Sequence, residues 1–257
     1  MKRIYDSKPN AQMLYRQLAG FYERFYSWKD YGKDAKALEG IIRSYKESDG
    51  SELLEVGCGT GSYLEHFNKK FSCTGLDISK DMLEIARAKN LKNVRLIEED
   101  MVRMKIGKRF DVVLCLFGVL PYIKTYSNLR KAIKNFSKCM RNGAVLVIDP
   151  WYTTTDGKGG TKYHYKEGIP YMATYDSEDL KIARLRIPRR VGYRQIMDNH
   201  TLIAERNGKV RYFVDRYEVG LFEIKKVLEI LKENGIDAHF EKDTISHGLY
   251  IGVKREK

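Results

Sequence analysis

The stretch "ELLEVGCGTGSYLEHF", residues 52–67, decides how the chain is read. An apolar, strand-like run passes directly into Gly57, Gly59 and Gly61, and a helix-like segment follows. Glycines in a strand-to-helix turn let the backbone bend sharply and approach a ligand, while the N-terminus of the next helix attracts negative charge. A nucleotide-type ligand fits that description. A dinucleotide fingerprint would require glycine at position 62, where Ser62 stands, and a Walker-type loop would require Gly-Lys-Ser/Thr, which is absent.

C-terminal to this stretch, short apolar runs alternate with amphipathic segments, the pattern of βα units and a parallel sheet. Strands are expected at 52–56, 71–78, 94–100, 111–117 and 144–150, apolar enough to be buried on both faces. One intervening helix starts at a Ser79 N-cap, and another ends at Gly143 as its C-cap glycine. Residues 153–220 lose helical periodicity, carry the hairpin signal Asn207-Gly208 and show strand-like alternation, which predicts an antiparallel cap inserted after the fifth strand. Ile224, Val227, Leu228 and Leu231 then sit at helical spacing before Gly235, and two final strands follow. The expected fold is α/β and doubly wound, a mostly parallel seven-stranded sheet completed by a C-terminal antiparallel hairpin, plus the cap.

Two carboxylates narrow the ligand. Asp77 ends the second strand about 20 residues past the glycine loop, where an acid can bind both ribose hydroxyls. Asp100 ends the third strand beside Met101, placed for an adenine edge and face. With "EVGCGTG" (55–61), "GLDISKDML" (75–83) and "EEDM" (98–101), the chain resembles the class I S-adenosylmethionine-dependent methyltransferases, whose core is Rossmann-like. The resemblance covers residues 51–152. It implies S-adenosylmethionine as cofactor and a binding set of Glu55, Gly57, Cys58, Gly59, Gly61, Asp77, Ile78, Met82, Asp100 and Met101, with Leu116 or Phe117 beside the reacting methyl.

Further landmarks are similar to the amino-sugar N,N-dimethyltransferases of macrolide biosynthesis: "YERFYSWKDY" (22–31), "DPWY" (149–152), "VGLF" (219–222) and "GLYIG" (248–252). The resemblance implies methyl transfer to a small-molecule amine, such as a nucleotide-linked amino sugar. Tyr122 and His247 stand where that family places polar groups, and with Tyr26 they form the candidate catalytic set. "DPWY" also looks like the motif by which DNA amino-methyltransferases hold a base, but that motif follows the fourth strand and Asp149 follows the fifth. Trp151 and Tyr152 are candidates for lining the substrate side.

The N-terminal run "FYERFYSWKDY" (21–31) carries six aromatic rings, and Leu14, Leu18, Phe21 and Phe25 continue a helical line. It reads as a lid helix in which Phe21 and Phe25 pack while Tyr26 and Tyr31 face cofactor and substrate. The chain divides into this lid (1–50), a cofactor core (51–152), the cap (153–220) and a segment completing the sheet (221–257).

Composition bounds the rest. The 257 residues are 43% hydrophobic and carry a net charge of +13, with no apolar run of the roughly 18 residues that span a bilayer. "MKRIYDSKPN" has basic residues but no apolar segment behind them, so a cytoplasmic protein is expected, without membrane association. Four dispersed cysteines predict neither disulfides nor a metal site. The basic run 181–194 includes Arg189 and Arg190, candidates for holding an anionic substrate. A homodimer and a nucleic-acid partner stay open, the latter ranked below a small molecule. Two alternatives to a small-molecule enzyme remain: a methyltransferase of RNA or protein, and a cofactor-binding protein without catalysis.

Overall fold

A computed structural model describes residues 12–150, 153–154, 168–242, 244–245 and 248–256. The central sheet is built from β1 (Glu52–Val56), β2 (Ser72–Asp77), β3 (Val94–Glu98), β4 (Phe110–Cys115) and β5 (Met140–Ile148). The cap strands follow β6 (Thr153–Thr154) and are β7 (Tyr171–Asp176), β8 (Leu180–Val191), β9 (Arg194–Glu205) and β10 (Val210–Gly220). After β11 (Phe222–Glu223) come β12 (Ile236–Glu241) and β13 (Leu249–Lys254). The helices are α1 (Tyr22–Phe25), α2 (Tyr31–Tyr45), α3 (Leu64–Phe67), α4 (Lys80–Ala88), α5 (Tyr126–Cys139) and α6 (Ile224–Glu233).

The main sheet has seven strands in the order β12-β13-β5-β4-β1-β2-β3. Strands β1 to β5 pair in parallel, whereas β13 runs antiparallel to both β5 and β12. Alternating side chains explain the two layers that cover it. Leu54, Val113, Cys115 and Leu146 point to α5 and α6, where Leu129, Ile133, Phe136 and Leu231 are buried. Their neighbours Leu53, Val112, Leu114 and Val145 point to α2 and α4, against Leu38, Ile42 and Leu83. The sheet order reverses between β1 and β4, the switch point at which open α/β sheets bind ligands.

The cap is a separate four-stranded antiparallel sheet, β10-β9-β8-β7, with the hairpin at Asn207-Gly208 as expected; Gly208 has φ +80°. The Ser79 N-cap also forms, its hydroxyl accepting from the Met82 N–H at 3.2 Å. Gly143 does not cap α5. That helix ends at Cys139, and Gly143 lies inside β5 at φ +75°, its carbonyl accepting from Glu47 and Ser48. A Cβ there would stand 3.0 Å from the Ser48 nitrogen, so close chain approach is what requires glycine.

The aromatic N-terminal stripe is not one helix either. Residues 13–31 form two 3₁₀ turns, the single turn α1 and a bend, and only then α2, N-capped by Asp30 through Lys33 N–H at 2.8 Å. A straight helix would expose half of its rings. The broken path instead seats Met13, Leu14, Leu18, Phe25 and Tyr26 against Leu180, Ile182 and Ile203 of the cap.

Candidate active site

A cleft of about 490 Å³ opens at the C-terminal ends of β1, β2 and β4, a volume that suits a drug-sized ligand. Its floor is the glycine loop. Gly57, Gly59 and Gly61 all lie at positive φ, +72°, +54° and +76°. A Cβ on Gly57 would fall 2.4 Å from Val119, so the bare backbone is a steric condition for the loop's fit against the segment after β4. Gly57 and Gly59 line the cleft. Gly61 does not: its Cα faces Ala86 and Leu64, where its role is packing of the loop on α4.

Asp77 is held by two backbone donors, Gly59 N–H to Oδ2 and Ser79 N–H to Oδ1, both at 2.8 Å. Each carboxylate oxygen keeps a second lone pair for a ligand hydroxyl. Asp100 is positioned in the same manner by Val102 N–H at 2.8 Å. Glu55 is buried at the base of the cleft, and its Oε2 has no hydrogen-bond partner among the described residues. Burial, with the Asp77 charge adding to it, raises the Glu55 carboxyl well above the usual range. An orphaned acid beside a glycine cradle suits a ligand with a positive end.

Cys58, Ile78, Met82, Met101, Leu116 and Phe117 also line the cleft. Phe117 adopts φ +55°, uncommon for a bulky residue. The strain is met by Asp149, whose carboxylate accepts the Phe117 N–H at 3.2 Å and whose carbonyl accepts the Gly118 N–H. The acid of "DPWY" thus fastens the loop after β4.

The N-terminal segment supplies the roof. Tyr31 lines the cleft, as do Tyr15 and Tyr22, which sequence reasoning missed. Tyr26 is buried one layer back, its ring 5.0 Å from Phe117, and does not line it. Lys29 anchors this roof. Its ammonium pairs with Asp34 at 2.6 Å with only 4% of the side chain exposed, and sits 4.5 Å from the Phe117 ring centre and 5.5 Å from that of Tyr31. Asp34 also accepts from the Tyr63 hydroxyl at 3.0 Å.

Tyr122 lines the cleft from the 3₁₀ turn Leu120–Ile123, and its hydroxyl lies 2.6 Å from that of Tyr15. Burial raises both phenols well above their ordinary value, so both remain protonated at neutral pH. Trp151, Tyr152 and His247 lie outside the described residues. Arg189 and Arg190 do not line the cleft: Arg189 is on the outer face of the cap, paired with Asp198 at 3.1 Å, and Arg190 donates to the Gly192 carbonyl. Strand alternation sends the basic run to both faces of β8.

Comparison with known proteins gives this geometry a context. The profile of a methyltransferase domain matches residues 53–143, which span the glycine loop, Asp77, Asp100 and β4. The dTDP-3-amino-3,4,6-trideoxy-alpha-D-glucopyranose N,N-dimethyltransferase of Streptomyces venezuelae is 31% identical, over 91% of this chain and 97% of its own length. Among solved structures, Streptomyces venezuelae DesVI superposes with a TM-score of 0.82 at 30% identity, over 92% of this chain and 98% of that one. CalS10, an amino pentose methyltransferase from Micromonospora echinaspora solved with S-adenosylmethionine bound, superposes at 0.78 with 26% identity, over 93% and 97% of the two chains.

Proposed function

The chain belongs to the S-adenosylmethionine-dependent methyltransferases, in the family that includes the amino-sugar N,N-dimethyltransferases, and from that premise we propose that it methylates the amine of a nucleotide-activated amino sugar. The observation that carries the reading is similarity over 91% of this chain and 97% of the relative to an enzyme of that named activity, supported by a cleft whose lining suits the cofactor. Asp77 and Asp100 would hold the ribose and adenine, and the Gly57–Gly59 backbone with Glu55 the cationic amino acid end. When bound, S-adenosylmethionine supplies a methyl on a sulfonium, already activated for direct transfer. The protein's own task is alignment and exclusion of water.

Tyr122 and Tyr15 present a hydroxyl pair to the space beside Phe117. A phenol kept protonated by burial is a poor base, yet its oxygen accepts a hydrogen bond from the amine N–H and so points the nitrogen lone pair. In this reading Tyr122 orients the amine, and the proton leaves to solvent once the C–N bond has formed. Aromatic faces at Tyr22, Tyr31 and Phe117 favour the positive charge shared by donor and product, each by about 0.5–2 kcal/mol.

The basic run on the cap does not form a one-sided polyanion track, because alternate residues face opposite sides of β8. That supports a small acceptor over RNA. The test is mass spectrometry of dTDP-3-amino and dTDP-4-amino deoxysugars incubated with purified protein and S-adenosylmethionine. One or two added methyl groups on the sugar nitrogen are expected. Cofactor binding with no methylated nucleotide sugar from either series would overturn the reading.

A further inference from the structure

The inner face of the cap carries chemistry that the cleft does not use. Side chains alternate along β8, so Arg184 and Arg186 point inward and are buried while Lys181, Leu185 and Arg189 face outward. Strand register lays these arginines in two adjacent rows, Arg184–Thr201–Phe213 and Arg186–Asn199–Asp215, across β8, β9 and β10. Structural economy alone would fill both rows with apolar side chains, as it does one row further on, where Ile182 meets Ile203.

Arg184 is 3% exposed, and its Nε and Nη2 have no hydrogen-bond partner among the described residues. Its charge rests on rings instead, 4.5 Å from the centre of Phe25 and 5.4 Å from that of Tyr26. Cation–π contact offsets part of the desolvation but leaves the donor fork unused. In the neighbouring row, Asn199 Oδ1 and Asp215 Oδ1 are also buried without partners. Donors and acceptors left open within two adjacent rows describe a place for a polar ligand, because burying such groups unmet costs about 1–3 kcal/mol each. Asp215 does not supply a counter-charge to Arg184. Burial raises the pKa of Asp215, an effect that the nearby backbone N–H groups of Met13, Leu14 and Arg216 offset in part.

The patch is one ring removed from the cleft. Tyr26 contacts Arg184 on one side and Phe117, which lines the cleft, on the other. Tyr122 lines the cleft and lies 5.9 Å, ring to ring, from Tyr217 on the cap's inner face. An acceptor with its amine at Tyr122 would extend its remainder between lid and cap, toward the two arginines.

We propose that Arg184 and Arg186 form the diphosphate subsite for the acceptor, with Asn199 and Asp215 taking hydroxyl hydrogens of the same ligand. The proposal rests on the reading of the acceptor as a nucleotide-activated sugar and names the residues that would recognise it. Arginine suits the role because its planar fork meets phosphate oxygens in pairs.

The test is calorimetric titration of full-length protein with dTDP, for wild type, Arg184→Met, Arg186→Met and Arg184→Lys, with Lys181→Ala as an outward-facing control from the same strand. Loss of one charge-assisted contact should weaken dTDP binding roughly 10- to 100-fold in each Met variant. Arg184→Lys, which keeps the charge and loses the fork, should fall between, and Lys181→Ala should match wild type. Affinity for S-adenosylmethionine should be unchanged in all of them, which reports an intact core. Wild type failing to bind dTDP, or Met variants binding it as wild type does, would overturn the proposal. Methylation of a dTDP-amino sugar with unaltered KM in both Met variants would sink the subsite alone. Arginine-dependent dTDP binding without methyl transfer to any amino sugar would sink the acceptor reading and leave the subsite standing.

Discussion

At Gly57 a Cβ would stand 2.4 Å from Val119, and the backbone is left-handed at φ +72°. Gly57→Ala should therefore cost at least the roughly 1–2 kcal/mol of an L-residue in that region, and push the loop off the segment after β4. Denaturant unfolding should show the loss, and S-adenosylmethionine titration a matching fall in affinity; wild-type values in both would mean the loop tolerates a side chain. Tyr122 divides two mechanisms by magnitude. Removing a neutral hydrogen bond costs about 0.5–1.5 kcal/mol, so Tyr122→Phe should lower kcat by roughly 2- to 13-fold if the hydroxyl only orients the amine. Loss of a general base would cost roughly 10²–10⁴-fold. With the phenol's pKa raised by burial, the wild-type pH profile should rise as the substrate ammonium loses its proton and show no separate Tyr122 step between pH 6 and 10. A loss in the larger range would reject the orienting role.

Among the elements, the lid depends on a contact that crosses its bend. Lys29 reaches Asp34 on α2 while its ammonium lies against Phe117 and Tyr31, both of which line the cleft. Lys29→Met keeps the apolar stem and removes the charge, leaving Asp34 with Tyr63 as its remaining side-chain partner. Breaking one half of a buried pair typically costs about 3–5 kcal/mol. Here the loss should fall on lid closure: KM for S-adenosylmethionine should rise with little change in the unfolding midpoint of the core. Hydrogen exchange is the check, with faster exchange expected over residues 13–31 and unchanged protection in β1 and β4. A uniform loss of protection would assign Lys29 to global stability. Sequence pattern identified the strands of the main sheet and the α6–β12–β13 ending, because buried strands declare themselves by continuous apolar runs. It failed on the lid. Leu14, Leu18, Phe21 and Phe25 satisfy helical spacing, yet the path of residues 13–31 is set by contacts with the cap and with Phe117, which local periodicity does not encode.

Taken as a whole, the molecule gathers negative charge in the cleft at a cost in stability. Burial raises the carboxyls of Glu55 and Asp77 above their unfolded values near pH 4. The folded state then binds more protons than the unfolded chain between the two pKa values, so these groups make the ligand-free protein less stable as pH rises through that window. Glu23, lowered through the Lys89 contact, acts in the opposite sense and loses its contribution as pH falls. Glu55→Gln should raise the Tm of the ligand-free protein at pH 7.5, have little effect at pH 4, and weaken S-adenosylmethionine binding. A Tm change independent of pH would show that the buried charge is not its origin.

By itself the sequence determined a nucleotide-type crevice and the sheet, since a glycine loop, two strand-end acids and buried apolar runs are local signals with direct physical meaning, and the resemblance of those motifs to a family named the cofactor. Only the tertiary structure decided which rings line the cleft and which cations turn inward. Tyr26 moved to the second layer, Tyr15 and Tyr22 came to the roof, and the basic run separated into outward Arg189 and inward Arg184 and Arg186. Facing direction depends on how a strand's two-residue period meets the surface it packs against, and that surface is contributed by residues more than a hundred positions away in the chain.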